Sequence, residues 1–150
     1  VSAAAIMWGQ VLSGVARGLF ATVILLIMGY LVGSHLSLSL IFLAALLINC
    51  FLSAAFGVIV GLISRSHDDA ASFTNFFIMP MAFFSGTFFP VEEMPWLVQK
   101  FILILPLTHI NYLLRHPVWS AHALTSLAIV TGYSLLSFLV GVILIRRYDE

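Results

Sequence analysis

The sequence predicts an all-α membrane protein with four transmembrane helices and a short re-entrant helical hairpin on the outer side of the membrane. Hydrophobic residues make up 62% of the chain and charged residues 8%, and the mean hydropathy is +1.15. Soluble domains carry about 25% charged residues, so this chain has too few to cover a water-facing surface. The few charges instead separate long apolar runs, and one further apolar run is short and interrupted by proline.

The charged residues divide the chain into runs that match transmembrane helices. Residues 19–64 are 46 positions without Asp, Glu, Lys or Arg, which is enough for two spans, because about 20 apolar residues cross a bilayer. Gly33 and the serines that follow it supply a small polar cluster for the intervening turn. Residues 70–91 give a third run, and the apolar body of residues 116–145 gives a fourth. The expected spans are residues 18–33, 38–63, 70–89 and 121–145.

A broken apolar segment follows the third run and predicts the hairpin. Gly86 and Pro90 end the third run, and the next apolar run, residues 101–114, has only 14 positions, with Pro106 inside it. Irregular backbone at membrane depth survives only where protein or a wet cavity covers it. We therefore expect a re-entrant hairpin over residues 91–116, in a place where something passes or binds.

Basic residues predict the orientation, because Lys and Arg are enriched in cytoplasmic loops. The chain has six. Two of them, Lys100 and Arg115, lie in the expected hairpin, on the other side of the membrane from the rest. Cytoplasmic termini and an outer hairpin are therefore favoured. The four residues expected on the cytoplasmic side are Arg17, Arg65, Arg146 and Arg147.

The opening segment, residues 1–17, has the pattern of a helix with two different faces. One face is apolar and includes Trp8, Val11 and Leu12. The opposite face is small and polar, with Ile6 as an apolar exception. We expect a helix at the water boundary, with Arg17 marking that boundary. The polar face consists of Ser2, Gly9, Gln10, Ser13 and Arg17.

Small residues recur four positions apart inside the expected spans, and such faces let helix backbones approach closely. Packing within one subunit and contact between two subunits are both consistent with this spacing. The pairs are Gly29 with Gly33, Gly57 with Gly61, and Ser137 with Gly141.

Several function classes are disfavoured. A net charge of zero gives no basic patch for nucleic acid, and the single Cys50 offers no disulfide or thiolate metal site. No metal-binding His spacing and no Walker A motif occur, so we expect no metal, no catalytic residue and no ATP hydrolysis in this chain. A secondary transporter or channel is the alternative function, but such proteins usually carry ionisable residues within their spans, and no Asp, Glu, Lys or Arg falls in the expected spans.

The broken segment resembles the signature of type-2 ABC exporter permeases, in the branch that includes nodulation-factor and daunorubicin exporters. The resemblance rests on Phe84-Ser85-Gly86-Thr87-Phe88-Phe89-Pro90, on Pro95-Trp96, and on Pro106-Leu107-Thr108-His109 with Arg115. It implies a six-span domain with a re-entrant hairpin between spans five and six. The chain would then hold spans three to six of a multi-pass protein in the bacterial plasma (inner) membrane.

The resemblance also implies a function and partners. It implies the permease subunit of an ATP-driven exporter for an amphipathic, lipid-linked, glycan or drug-type substrate. ATP and Mg would be bound by a partner ABC ATPase subunit, and a second permease copy and membrane lipids would complete the assembly. The expected ATPase-coupling residues are Ser2, Ile6, Gly9, Gln10 and Ser13. The expected residues of the hairpin and translocation pathway are Phe84, Gly86, Phe88, Phe89, Pro90, Glu92, Glu93, Pro95, Trp96, Pro106, Thr108, His109 and Arg115.

Two of these roles had further reasons in the sequence. Glu92 and Glu93 precede an expected helix, where carboxylates favour the positive helix end; an ordinary solvated loop and a contact with substrate or a partner both remain open. Thr108 is expected to cap the helix that follows Pro106.

Overall fold

The computed structural model describes residues 2–34, 38–87, 93–116 and 118–149, and over these ranges the chain is helical, which confirms the all-α prediction. The helices follow one another with short connections. They are α1 (Ala3–Leu31), α2 (Leu40–Ile63), α3 (His67–Ala82), a π-helix (Phe83–Thr87), α4 (Trp96–Ile104), α5 (Pro106–Arg115) and α6 (Ala121–Asp149).

Helix α1 is one uninterrupted helix of 29 residues. Ser2 caps its first turn by accepting a hydrogen bond from the Ala5 N–H at 3.4 Å. The chain leaves the helix through Gly33, whose φ of +87° is a conformation that favours glycine. No break occurs at the expected division between residues 1–17 and 18–33. Arg17 is the central residue of α1, and the expectation that it marks a water boundary stays a prediction.

Helices α1, α2 and α6 form the core of the fold. Helices α1 and α2 run antiparallel and touch where a Cβ on Gly14 would lie 2.6 Å from the Cβ of Ala54 and a Cβ on Gly18 would lie 3.1 Å from the Cys50 sulfur. This pair of glycines, four residues apart, brings the two backbones together. The start of α1 and the ends of α2 and α6 meet in a buried cluster of Ala3, Met7, Val11, Ala55 and Ile145.

Within the described ranges, three helices are long and apolar enough to cross a membrane, or four if the bent pair α4–α5 counts as one span. The three are Ala3–Leu31, Leu40–Ile63 and Ala121–Arg147. The expected span at residues 70–89 is not among them, because α3 ends after 16 residues and continues as the π-helix. Pro80 lies near this change; it lacks the N–H that would continue the α-helical ladder.

The predicted small-residue pairs have different surroundings. A Cβ on Gly141 would meet the side chain of Met7, so this glycine packs within the subunit. Gly57 and Gly61 face open space, since no atom would lie within 4 Å of a Cβ at either position. The α1–α2 contact instead uses Gly14 and Gly18, a pair with the same spacing that the sequence interpretation did not single out.

Candidate functional site

The re-entrant hairpin is built from α4 and α5, which meet at Leu105 with an 89° bend. Leu105 is extended, with ψ 128°, as expected for a residue before proline. Pro106 is the first residue of α5, where its missing N–H costs no helical hydrogen bond. The predicted break at Pro106 is therefore confirmed.

Three side chains cap the last three carbonyl groups of α4. The end of a helix leaves its final C=O groups without partners, and inside a bilayer each unpaired group costs several kcal/mol. The Thr108 hydroxyl donates to the Ile102 carbonyl at 2.8 Å. The His109 Nε2 lies 2.9 Å from the Leu103 carbonyl, and the Tyr133 hydroxyl donates to the Ile104 carbonyl at 2.8 Å. The bend is thus stable without water at its centre.

His109 connects three helices from a buried position, with 8% of its surface exposed. Because a carbonyl only accepts hydrogen bonds, Nε2 carries the proton that is donated to Leu103. The Nδ1 of the neutral ring then accepts from the Ser126 hydroxyl, 3.2 Å away on α6. The Ser126 oxygen also lies 3.4 Å from the Nδ1 of His122. His109 therefore fixes the end of α4 and the start of α5 against α6.

A second link joins the hairpin to the π-helix. The Asn111 side-chain nitrogen donates to the backbone carbonyl and to the hydroxyl of Ser85, both at 3.2 Å. Ser85 is buried, with 1% exposed, in the short π-helical turn, and such turns frequently occur at functional sites. The π-helix and α5 are therefore in direct contact through residues 26 positions apart.

Some functional contacts were missed from the sequence. Ser85 belongs to the quoted motif but was not among the expected site residues, and neither were Asn111, Ser126 or Tyr133. A usable signal did exist, because polar side chains inside apolar runs need hydrogen-bond partners when buried. Their partners lie up to 29 residues away, so the pairing itself required the fold.

The structure corrects the role of Thr108. It makes no cap at the start of α5, which begins at Pro106 without a side-chain cap. Its hydroxyl donates across the bend to α4 instead, because Pro106 already supplies the first residue of α5 and Thr108 lies within its first turn.

The other expected hairpin residues are more peripheral. Pro95 immediately precedes α4, and Trp96, its first residue, is exposed with the Lys100 Nζ 5.0 Å from its ring centre. Glu93 is exposed before α4, and Arg115 is the last residue of α5. Phe84 and Gly86 lie in the π-helix, and the Phe84 side chain is exposed. Phe88, Phe89, Pro90 and Glu92 lie outside the described residues.

The expected coupling residues all lie along the first half of α1. Ser2 caps the helix, and Gly9 faces open space. The other three line a cavity of about 620 Å³ between α1 and α2, which Arg17 also lines. They are Ile6, Gln10 and Ser13.

The expected apolar face of this segment contains both buried and exposed residues. Trp8 and Leu12 are exposed, whereas Met7 and Val11 are fully buried. In a membrane, apolar side chains need not point inward, and close packing favours small residues at the helix contact. The contact face of α1 is therefore set by Gly14 and the residues in line with it.

The long apolar helices and the bent pair are those of a multi-pass membrane protein. Comparison with known families agrees with this class, because a family model described as "ABC-2 type transporter" matches residues 1–119. The chain belongs to the ABC-2 type transporter family. The match includes the hairpin and ends before α6.

The chain is also similar to several curated proteins called Nodulation protein J. It is 31% identical to that of Rhizobium leguminosarum bv. viciae over 97 residues, covering 63% of this chain and 38% of the relative. It is 31% identical to that of Neorhizobium galegae over 98 residues, covering 63% and 37%. The chain thus spans a little over a third of these relatives. No solved structure matches it at a significant level.

Proposed function

We propose that this chain is part of the permease subunit of an ATP-driven exporter that carries an amphipathic, lipid-linked, glycan or drug-type substrate out of the cytoplasm. Family membership supports this proposal, and the hairpin is the observation that carries it. Three side chains cap the carbonyl groups at the bend between α4 and α5. Irregular backbone that is stabilised in this way within a membrane protein is expected where a transport route or a binding site is built.

The energy for transport would come from ATP hydrolysis in a partner subunit. An ABC ATPase subunit would bind ATP and Mg, and α1 would receive the motion. Its 29 residues make a helix about 43 Å long, whereas the hydrocarbon core is about 30 Å thick, so its first turns project into the cytoplasm when that end faces inward. The proposed contact surface consists of Ser2, Ile6, Gly9, Gln10 and Ser13.

The continuity of α1 gives this contact a mechanical consequence. A displacement at Ser2 moves the whole helix as one body, and the close approach of Gly14 to Ala54 transmits it to α2. The hairpin, tied to α6 by His109, would stay as the fixed outer element, and the pathway would open between the two.

The proposed second copy of the permease would face α3. Helix α3 buries none of its residues within the described chain, and its aromatic side chains, like that of Phe84 in the adjoining π-helix, are exposed. A surface of this kind suits contact with a second copy, where aromatic rings would line the route. The exposed phenylalanines are Phe73, Phe76, Phe77, Phe83 and Phe84.

One observation favours a second candidate function. Arg17 lies at the centre of a span-length helix, and ionisable residues within spans often mark the pathways of secondary transporters and channels. The alternative is therefore a secondary transporter or channel that works without an ATPase.

Copurification and vesicle transport separate the two candidates. The full-length protein, tagged and expressed with its neighbouring genes, is expected to retain an ATPase subunit, and inside-out vesicles are expected to accumulate a fluorescent amphipathic substrate only with ATP. Vesicles whose ATPase carries an inactivating substitution of its Walker A lysine provide the control. Accumulation driven by an ion gradient, with no ATPase retained, would instead establish the secondary transporter.

A further inference from the structure

Arg17 occupies an unusual place for a charged residue. Any 18-residue stretch of α1 contains it, because it is the central residue of the 29-residue helix, and α1 is apolar enough to span. Its neighbours in line, Gly14 and Gly18, touch Ala54 and Cys50 in the middle of α2. These contacts place Arg17 beside the middle of α2 in the packed pair of helices.

The cavity beside Arg17 is large enough for a small molecule. Its volume is about 620 Å³, within the range of about 300–1,000 Å³ typical of ligand sites. One wall carries the polar side chains of Gln10 and Ser13, and the other is formed by the open glycines Gly57 and Gly61. The remaining lining is apolar: Ile6, Ala54, Val58, Leu62 and Ile145.

The guanidinium of Arg17 has no partner of opposite charge in the cavity. No Asp or Glu lines it, and within residues 2–34, 38–87, 93–116 and 118–149 Arg17 makes no ion pair or hydrogen bond. Intramembrane arginines normally pair with an anion or with backbone carbonyls. The Arg17 side chain is exposed, so an anion from outside this part of the chain can reach it.

We propose that the cavity between α1 and α2 binds the phosphate headgroup of an anionic amphiphile. Arg17 pairs with two phosphate oxygens, a geometry that suits a guanidinium, and Gln10 and Ser13 supply further hydrogen-bond donors. The acyl chain lies along the glycine wall and the apolar lining. An amphiphile, rather than a free anion, suits this site because most of the residues that line the cavity are apolar.

This site goes beyond the proposed function, and it is tested without ATP or an ATPase, so its failure is distinguishable from a failure of export. The full-length protein in a neutral detergent is titrated with oleoyl lysophosphatidate, with monoolein, which lacks only the phosphate, and with inorganic phosphate. Native mass spectrometry or intrinsic fluorescence reports binding. The wild type is expected to bind lysophosphatidate and neither of the other two.

Four variants test the assignment. Arg17→Gln is expected to weaken lysophosphatidate binding about tenfold or more, because a charge-assisted bond is lost, while Arg17→Lys retains most of it. Gly57→Leu is expected to weaken binding too, by filling a wall where no neighbouring atom would clash with its Cβ. Arg65→Gln, at an exposed residue outside the cavity, should bind like the wild type, and thermal unfolding confirms that each variant is folded.

Three results would overturn the proposal. Equal binding of lysophosphatidate and monoolein would show that the site does not recognise the phosphate. Binding of inorganic phosphate at the same strength would show that the site does not recognise the acyl chain. Absence of lysophosphatidate binding, or unchanged binding in Arg17→Gln, would show that another partner, such as a carboxylate of a neighbouring helix, covers Arg17.

Discussion

Replacing His109 by leucine is expected to lower the free energy of unfolding by about 3 kcal/mol and to abolish export by the full-length protein. The substitution leaves the Leu103 carbonyl and the Ser126 hydroxyl, both at membrane depth, without the partner that each now has. It also frees the end of α4 from α6, so the bend that defines the hairpin is no longer fixed.

Thermal unfolding in detergent measures the first effect and ATP-dependent vesicle uptake the second. His116→Leu is the matched control, because His116 is exposed just after α5 and its side chain makes a ring contact with Tyr112, at 5.2 Å between ring centres; its backbone bond to Tyr112 is kept in the variant. His116→Leu should unfold within a degree or two of the wild type. If His109→Leu unfolded like this control and still exported, the capping bonds would not be what holds the hairpin.

Replacing Gly14 by leucine is expected to cost about 2 kcal/mol or more. A single Cβ at this position would already lie 2.6 Å from the Cβ of Ala54 and 3.4 Å from its Cα. The Cα belongs to the backbone of α2, so the two helices must separate, and every contact along the α1–α2 seam weakens with them.

Gly9 offers the matched control on the same helix. A Cβ at Gly9 meets nothing within 4 Å, so Gly9→Leu should be as stable as the wild type or more stable, since leucine favours helix by up to about 1 kcal/mol relative to glycine. Thermal unfolding of both variants gives the comparison. Equal stability of the two would mean that α1 and α2 do not meet through Gly14.

Much of the architecture was predictable because it depends on local features of the sequence. Uncharged runs gave the regions of three span-length helices, and Pro106 gave the break, since a proline fixes its own φ and restricts the residue before it. The third expected span has a different secondary structure from the one predicted. The same run holds Pro80, and the structure has a shorter α-helix there that continues as a π-helix.

What failed depended on which helices come together. The face that α1 turns inward is decided by backbone approach at Gly14 rather than by the bulk of Trp8, so the hydrophobic pattern alone did not separate buried Val11 from exposed Trp8. The uncharged run begins after Arg17, and it gave no sign that one helix continues on both sides of this residue. The hydrogen-bond partners of Thr108 and His109 lie on the neighbouring helices α4 and α6, and no spacing rule in the sequence predicts these pairings.

The most direct test of the account concerns the two ends of the hairpin. In a Cys50→Ser background of the full-length protein, Trp96→Cys and Val118→Cys introduce thiols at exposed positions on either side of the bent pair, and Arg65→Cys introduces one in the loop between α2 and α3. A membrane-impermeant maleimide applied to intact cells is expected to label the first two and not the third. Labelling of Trp96→Cys from outside and Val118→Cys only from the cytoplasm would show that α4 and α5 together cross the membrane, and would contradict the re-entrant hairpin.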